Sequence, residues 1–387
     1  MKFIFKIWIM VFWFACICVW PATAQDKGNF TVTPKTNHEK KWRVGYYEGG
    51  EYLDYQQVFI ATVKELMALG WVNPMDIPDQ QGEQTKDLWK WLGKTIKSDY
   101  IEFVEDGHYS ADWDEARTRE TVEAIISRLN TKKDINLMIA AGTTAGKGLA
   151  NNRHSTPTLV ISSSDPIGAG IVKSSEDSGF DHVMAQVDPF RYERQIRVFH
   201  DIIGFKTLGV AYADTEAGRA YAAIHDIEKL SKQFGFEVVR CYTQDEIPDV
   251  KQAEETVKKC FRDLSQKVDA IYVTAQNGVN PSSIPELVEI VTAAQIPTFA
   301  QASSEEVKAG FLMSISQADW KYVGRFFAES MAKIFNGAKP RQLDQLFEEP
   351  PKIAINLKTA ELIQYDPPVD VLGSADEIYT EIKPAKK

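Results

Sequence analysis

Cysteine and histidine are scarce in this chain of 387 residues, with four of the first and six of the second. No Cys-x-x-Cys, His-Glu-x-x-His or histidine-rich cluster occurs, so neither a structural zinc site nor a zinc hydrolase has motif support. Basic charge is in deficit: 44 Lys and Arg stand against 54 Asp and Glu, a formal charge of −10 that speaks against a nucleic-acid or anionic-membrane partner. The longest apolar run, residues 7–20, falls short of the roughly 20 residues a spanning helix needs. The Gly-x-Ser-x-Gly elbow of serine hydrolases is missing as well. The run from Gly142 to Gly148 is one residue short of a phosphate-binding loop and ends in glycine where Ser or Thr must reach magnesium. Residues 168–173 lack the third glycine of a dinucleotide fingerprint. Neither a cofactor nor a metal is expected, and an enzyme is the weakest functional class.

Residues 1–24 have the order of a secretory leader: Lys2 and Lys6, the apolar run, then Ala22-Thr23-Ala24 ahead of Gln25. The competing reading is a retained membrane anchor, for which the run is short. A lipid on Cys16 would leave residues 17–20 as an apolar tail and would need a small aliphatic residue where Trp13 stands. The sequence therefore predicts export to the periplasm with cleavage after Ala24. Cys241 and Cys260 remain after cleavage and are either a disulfide or two buried thiols.

A chain of this length, 44% hydrophobic, exceeds the size at which single cores stop growing. Residues 25–41 are polar and aperiodic, as in a flexible tether. Strand-like runs then alternate with helical periodicity, at 42–46, 100–104, 135–141 and 158–161, and again at 208–212, 236–242, 270–274, 296–300 and 311–316. This pattern predicts an α/β fold of two doubly wound, parallel-sheet lobes. Residues 73–98 hold an acidic loop and an extra helix with Leu88, Trp89, Trp91 and Leu92, expected to pack as core on the side away from any cleft. Residues 369–387 mix prolines, acids and lysines and read as a trailing tail.

The organising stretch is 158–172, where a buried β-branched run is cut off by three serines, Asp165-Pro166 and two glycines. The loop reads as the crossing between lobes. Residues 164–172, Ser-Asp-Pro-Ile-Gly-Ala-Gly-Ile-Val, resemble the Ser-Asp-Pro-Val-Gly-Ala-Gly-Leu-Val signature of a family of ABC-transporter substrate-binding proteins with the type I periplasmic-binding fold. Gly142 with Thr143, Gly324 with Arg325, Gly337, Lys339 with Pro340, and residues 355–360 fall in the same order as in that family. The resemblance implies a hinged pair of lobes, 42–165 with 318–337 and 166–317 with 338–368. It further implies a monomer that hands a small solute to an ABC permease in the inner membrane, with relatives that bind aromatic amino acids such as tryptophan. A sensory protein feeding a membrane receptor would look the same. Two departures stand out. Gln276 replaces an Asp common in relatives, and residues 182–185 read His-Val-Met-Ala in place of Asn-Ile-Thr-Gly.

Ligands of open parallel sheets bind beyond the carboxyl ends of the strands. In the first lobe those ends carry Tyr46, Tyr47, Glu48, Gly142, Thr143, Thr144, Ser164 and Asp165; in the second, Tyr212, Asp214, Thr274, Gln276, Asn277 and Gln301. The set has hydroxyls, amides and rings but no nucleophile with its base. The expected ligand is a small, flat carboxylate, held by Thr143, Thr144 and the helix start behind them, with its body against the tyrosines.

Overall fold

Short aliphatic runs such as Leu137–Ala141, buried at every position, can satisfy their backbone only inside a sheet covered on both faces. The computed structural model, which describes residues 29–245, 247–317, 320–347 and 351–383, has two such sheets. The expected signal peptide lies outside the described residues, as do residues 318–319 of one expected hinge.

The first lobe runs β1 (Trp42–Glu48), α1 (Leu53–Ala68), α2 (Lys86–Thr95), β2 (Ile101–Ser110), α3 (Glu115–Thr131), β3 (Leu137–Ala141), α4 (Gly142–Leu149), β4 (Thr158–Ile161) and β5 (Val183–Ala185). Its five strands are parallel in the order β2-β1-β3-β4-β5. The second lobe begins with α5 (Arg191–Ile203), β6 (Thr207–Tyr212), α6 (Glu216–Tyr221), α7 (Ile224–Phe234), β7 (Glu237–Tyr242) and α8 (Val250–Leu264). It continues through β8 (Ala270–Val273), α9 (Ile284–Ala293), β9 (Thr298–Ala300), α10 (Ser304–Lys308) and β10 (Met313–Gln317). The chain then recrosses as α11 (Trp320–Phe335), whose Val323, Phe327 and Met331 enter the first lobe's core. Gly324 lets α11 approach α1 closely: a Cβ there would stand 2.5 Å from the Ala61 backbone. After α11 come β11 (Pro351–Asn356), antiparallel to β10, then α12 (Leu357–Leu362), α13 (Val369–Ser374) and β12 (Glu377–Tyr379). The second sheet is ordered β12-β11-β10-β9-β8-β6-β7.

Several expectations need correction. The loop after β4 is not the crossing. Ile171 and Val172 bury into the first lobe's core beside Ala145 and Val160, and β5 pairs with β4, so residues 166–185 belong to that lobe and the chain crosses at about 186–190. Residues 29–41 are docked, because the Trp42 and Trp71 indoles donate to the carbonyls of Lys35 and Val32 and the Asn336 amide donates to that of Thr33. The presumed tail covers the edge of β11 with β12, and Asp376 accepts from the Ile353 N–H at 2.9 Å. The helical stretch between β6 and β7 is two helices, α6 and α7, broken where Ala223 adopts a φ of +53°. Cys241 and Cys260 form a disulfide between β7 and α8.

Candidate functional site

Parallel strands end on one side, and the two sheets present those ends to each other across a cavity of about 60 Å³. The first lobe contributes Tyr52, Asp54 and Val58 from the start of α1, and Ser162, Ser163 and Ser164 from the end of β4. Gln186 and Asp188 come from the crossing, Arg191 and Tyr192 from the first turn of α5, and Ala275, Gln301 and Ala302 from the ends of β8 and β9. Small-molecule pockets typically run from about 300 Å³ upward, so the space left between the lobes here is smaller than such a pocket. A larger depression of about 510 Å³, including Asp214, Asp245 and Asp249, is lined by the second lobe alone.

Asp54 and Arg191 face this cavity from opposite lobes. Burial raises the Asp54 pKa, against the pull of the neighbouring Ser162 hydroxyl and the Arg191 guanidinium. Burial also works against the charge on Arg191, but Tyr192 and Asp54 outweigh it and keep the guanidinium protonated. Asp188 is committed elsewhere, to Arg194 at 2.5 Å. Ser162 holds a φ of +52°, a conformation that costs a non-glycine residue about 1 kcal/mol or more and that clusters at ligand sites. Beside Ala302, Glu306 of α10 is pushed by burial up to about 8, with Asp54 adding to the rise.

Of the residues singled out from sequence, Ser164 and Gln301 line the cavity. Gln301 also holds its own lobe together, accepting from the Ala275 N–H and donating to the Tyr221 carbonyl, both at 2.7 Å. Tyr46 and Tyr47 point to opposite faces of the first sheet and are fully buried, and Tyr212 is core in the second. These three rings pack; the tyrosines at the cavity are Tyr52 and Tyr192. Glu48 is buried under residues 73–98, accepting from Thr85 at 2.6 Å with His108 at 3.9 Å, and burial raises its pKa to about 8. The inserted segment thus sits over the carboxyl end of β1, not on the remote side.

The helix start at Gly142 is covered by the Tyr55 hydroxyl, which fills the space a Cβ would take. Thr143 reaches Ser163 at 3.2 Å and Thr144 packs against Gly49, so neither threonine lines the cavity. Asp165 caps its own turn by accepting from the Gly168 N–H. Asp214 pairs with Arg219 at an exposed position. Thr274 and Gln276 both donate to the Ala211 carbonyl, Gln276 also accepts from Thr243, and the Asn277 N–H donates to Asp245. Asp54, Arg191 and Tyr192 were missed because they sit a turn beyond the strand ends. The usable signal was a charged residue in the first turn of an amphipathic helix that follows a strand or a crossing.

The family model described as ABC transporter substrate binding protein matches residues 102–379. A tyrosine-binding protein of Clostridioides difficile (strain R20291) is 23% identical over 272 residues, 68% of this chain and 74% of that protein. An ABC domain from Streptococcus pneumonia, solved in complex with L-Trp, superposes with a TM-score of 0.66 at 19% identity, covering 88% of this chain and all of that one. A ligand-free, open substrate-binding protein with adhesive properties from Clostridium difficile gives 0.57 at 21% identity, over 88% of this chain and all of that one. With two lobes of the type I periplasmic-binding kind and a family match across most of its length, the chain belongs to the ABC-transporter substrate-binding proteins.

Proposed function

We propose that the protein works outside the cytoplasm, captures a small carboxylate-bearing ligand between its lobes and delivers it to an ABC permease, with no chemistry of its own. The observation that carries this reading is Arg191: it faces the interlobe cavity, and among the described residues no carboxylate lies within ion-pair distance of it. A guanidinium presents a planar fork of donors matched to a carboxylate. The serines at 162–164 add hydroxyls, and Tyr52 and Tyr192 offer apolar ring surface for the ligand's body. The tyrosine and tryptophan named for two similar proteins fit a site of this composition. Export rests on the N-terminal leader pattern of the sequence.

Mass spectrometry of the small molecules released on denaturing the purified protein tests the reading. A carboxylate-bearing compound is expected from the wild type and should be absent from a folded Arg191→Ala variant. Losing the guanidinium should weaken binding by about 1 to 3 kcal/mol, the range for stranding a buried polar partner. Release of the same compound from both proteins would remove Arg191 from the site.

A further inference from the structure

We propose that His154 and His182 form an acid-sensitive clasp at the edge of the first lobe that carries the crossings: with both rings neutral they hold β5 to β4, and proton uptake by either ring frees β5 and the chain segments bound to it. The device works whatever the interlobe cavity binds. His154 stands shortly before β4 and His182 directly before β5, and the His182 carbonyl accepts the Thr158 N–H at 2.7 Å, at the start of the pairing between those strands. The two rings meet edge to face with centroids 4.6 Å apart, and Phe180 lies edge-on to His182 at 6.0 Å. Only 6% of His154 and 7% of His182 is exposed. Nε2 of His154 lies 2.9 Å from the Leu149 carbonyl, which can only accept, so that nitrogen carries the proton and Nδ1 keeps a bare lone pair. This Nδ1 and Nε2 of His182 are both buried without a hydrogen-bond partner. A proton added to either makes a buried cation beside a second imidazole, which costs far more here than in water.

The charged groups beside the pair are already engaged. Asp181 accepts from Lys339 at 2.8 Å and meets Arg341 at 3.4 Å, Arg341 also bonds Asp177, and Arg153 pairs with Glu123. Burial lowers the His182 pKa against the carbonyls of Asn151 and Leu149 and against Asp181. Burial, then the neighbouring His182, lowers that of His154 to about 4 against the carbonyls of Leu149 and Thr156. An opened segment restores the ordinary value of 6.5, so the clasp is strongest above about pH 6.5 and opening grows as pH falls toward 4, by up to about tenfold per pH unit for each histidine. Opening at β5 spreads to the crossings. The Ala185 N–H donates to the Gln345 side chain at 3.2 Å, the Val187 N–H to the Gln345 carbonyl at 2.8 Å, and the Phe347 N–H to the Val187 carbonyl at 3.0 Å. The outgoing chain after β5 and the returning chain at 339–347 are thus bound to each other at the end of the strand that the two histidines secure.

Hydrogen exchange of the full chain at pH 7 and pH 5, read as protection factors corrected for the intrinsic exchange rate, tests the clasp. Protection of Thr158 and of residues 183–187 should fall by about tenfold or more on acidification, measured against residues 137–141 of β3 and against the second sheet. His154→Phe combined with His182→Phe keeps a ring at each position and removes both titrations, so that selective fall should vanish. Should the double variant fold poorly, either single substitution must shrink the fall. Equal protection at the two pH values overturns the inference. So does a loss spread evenly over the first sheet, or a selective fall that persists unchanged in the variants.

Discussion

Thr85 donates a 2.6 Å hydrogen bond to the buried carboxyl of Glu48, tying the inserted segment to the carboxyl end of the first strand of its lobe. The segment is anchored a second time where the Gln56 amide donates to the carbonyls of Gly82 and Gln84. It therefore braces the start of α1, the helix that carries Tyr52 and Asp54 to the cavity. Thr85→Val removes the donor and leaves Glu48 under-satisfied, so the variant should lose about 1 to 3 kcal/mol of stability in urea unfolding. Unchanged stability would mean that the segment is held by its apolar contacts alone.

Stability should fall as pH rises from about 6.5 to 8. Burial raises Glu48 and Glu306 to about 8 and Glu83 to about 7 in the folded chain, so through this window the folded state binds more protons than the unfolded one. His108 and His154, held near 4 by burial, oppose the trend only below their ordinary value of 6.5. Glu48→Gln should flatten the slope in thermal melts across that range. A wild-type melting temperature that climbs from pH 6.5 to 8 would contradict the assignment.

The disulfide between Cys241 and Cys260 closes a loop of 19 residues in sequence that runs from the end of β7 through most of α8. On the chain-entropy account its reduction should cost about 3 kcal/mol, confined to the second lobe. Hydrogen exchange with and without reductant checks this, because faster exchange should appear in β7 and α8 and not in the first sheet.

Lys147 of α4 and Glu216 of α6 form an ion pair at 2.7 Å across the two lobes. The pair is solvent-exposed, so its worth is about 0 to 1 kcal/mol. Lys147→Ala should speed ligand release and weaken affinity less than about fivefold by that measure. A loss comparable to that of Arg191→Ala would make this latch part of the binding site.

The architecture was legible because parallel, fully buried strands leave unbroken aliphatic runs, and the run at 158–161 with its Ser-Asp-Pro loop pointed to the family. The lobe boundary was misplaced by one short strand. β5 is three residues long and was read only as a departure from the family pattern, so nothing local announced that it would pair with β4. Little of the candidate site was legible. Choosing strand-end hydroxyls and amides reached two cavity-lining residues, Ser164 and Gln301, but other such groups satisfy the backbone of a neighbouring strand, as Thr274 and Gln276 after β8 do at Ala211 of β6. Tyr46 and Tyr47 are adjacent and must point to opposite faces of a sheet buried on both, which makes each of them core. Asp54 and Arg191 meet only through the folding of two lobes, a relation over 137 positions that no local pattern carries.

The most direct test of capture between the lobes is a crystal structure of the protein with the compound it carries when purified. The account predicts density between Asp54 and Arg191, with a carboxylate within hydrogen-bond distance of the guanidinium and the ligand enclosed by Tyr52 and Tyr192. Density in the open depression beside Asp214 and Asp245, with the interlobe cavity holding only water, would contradict it.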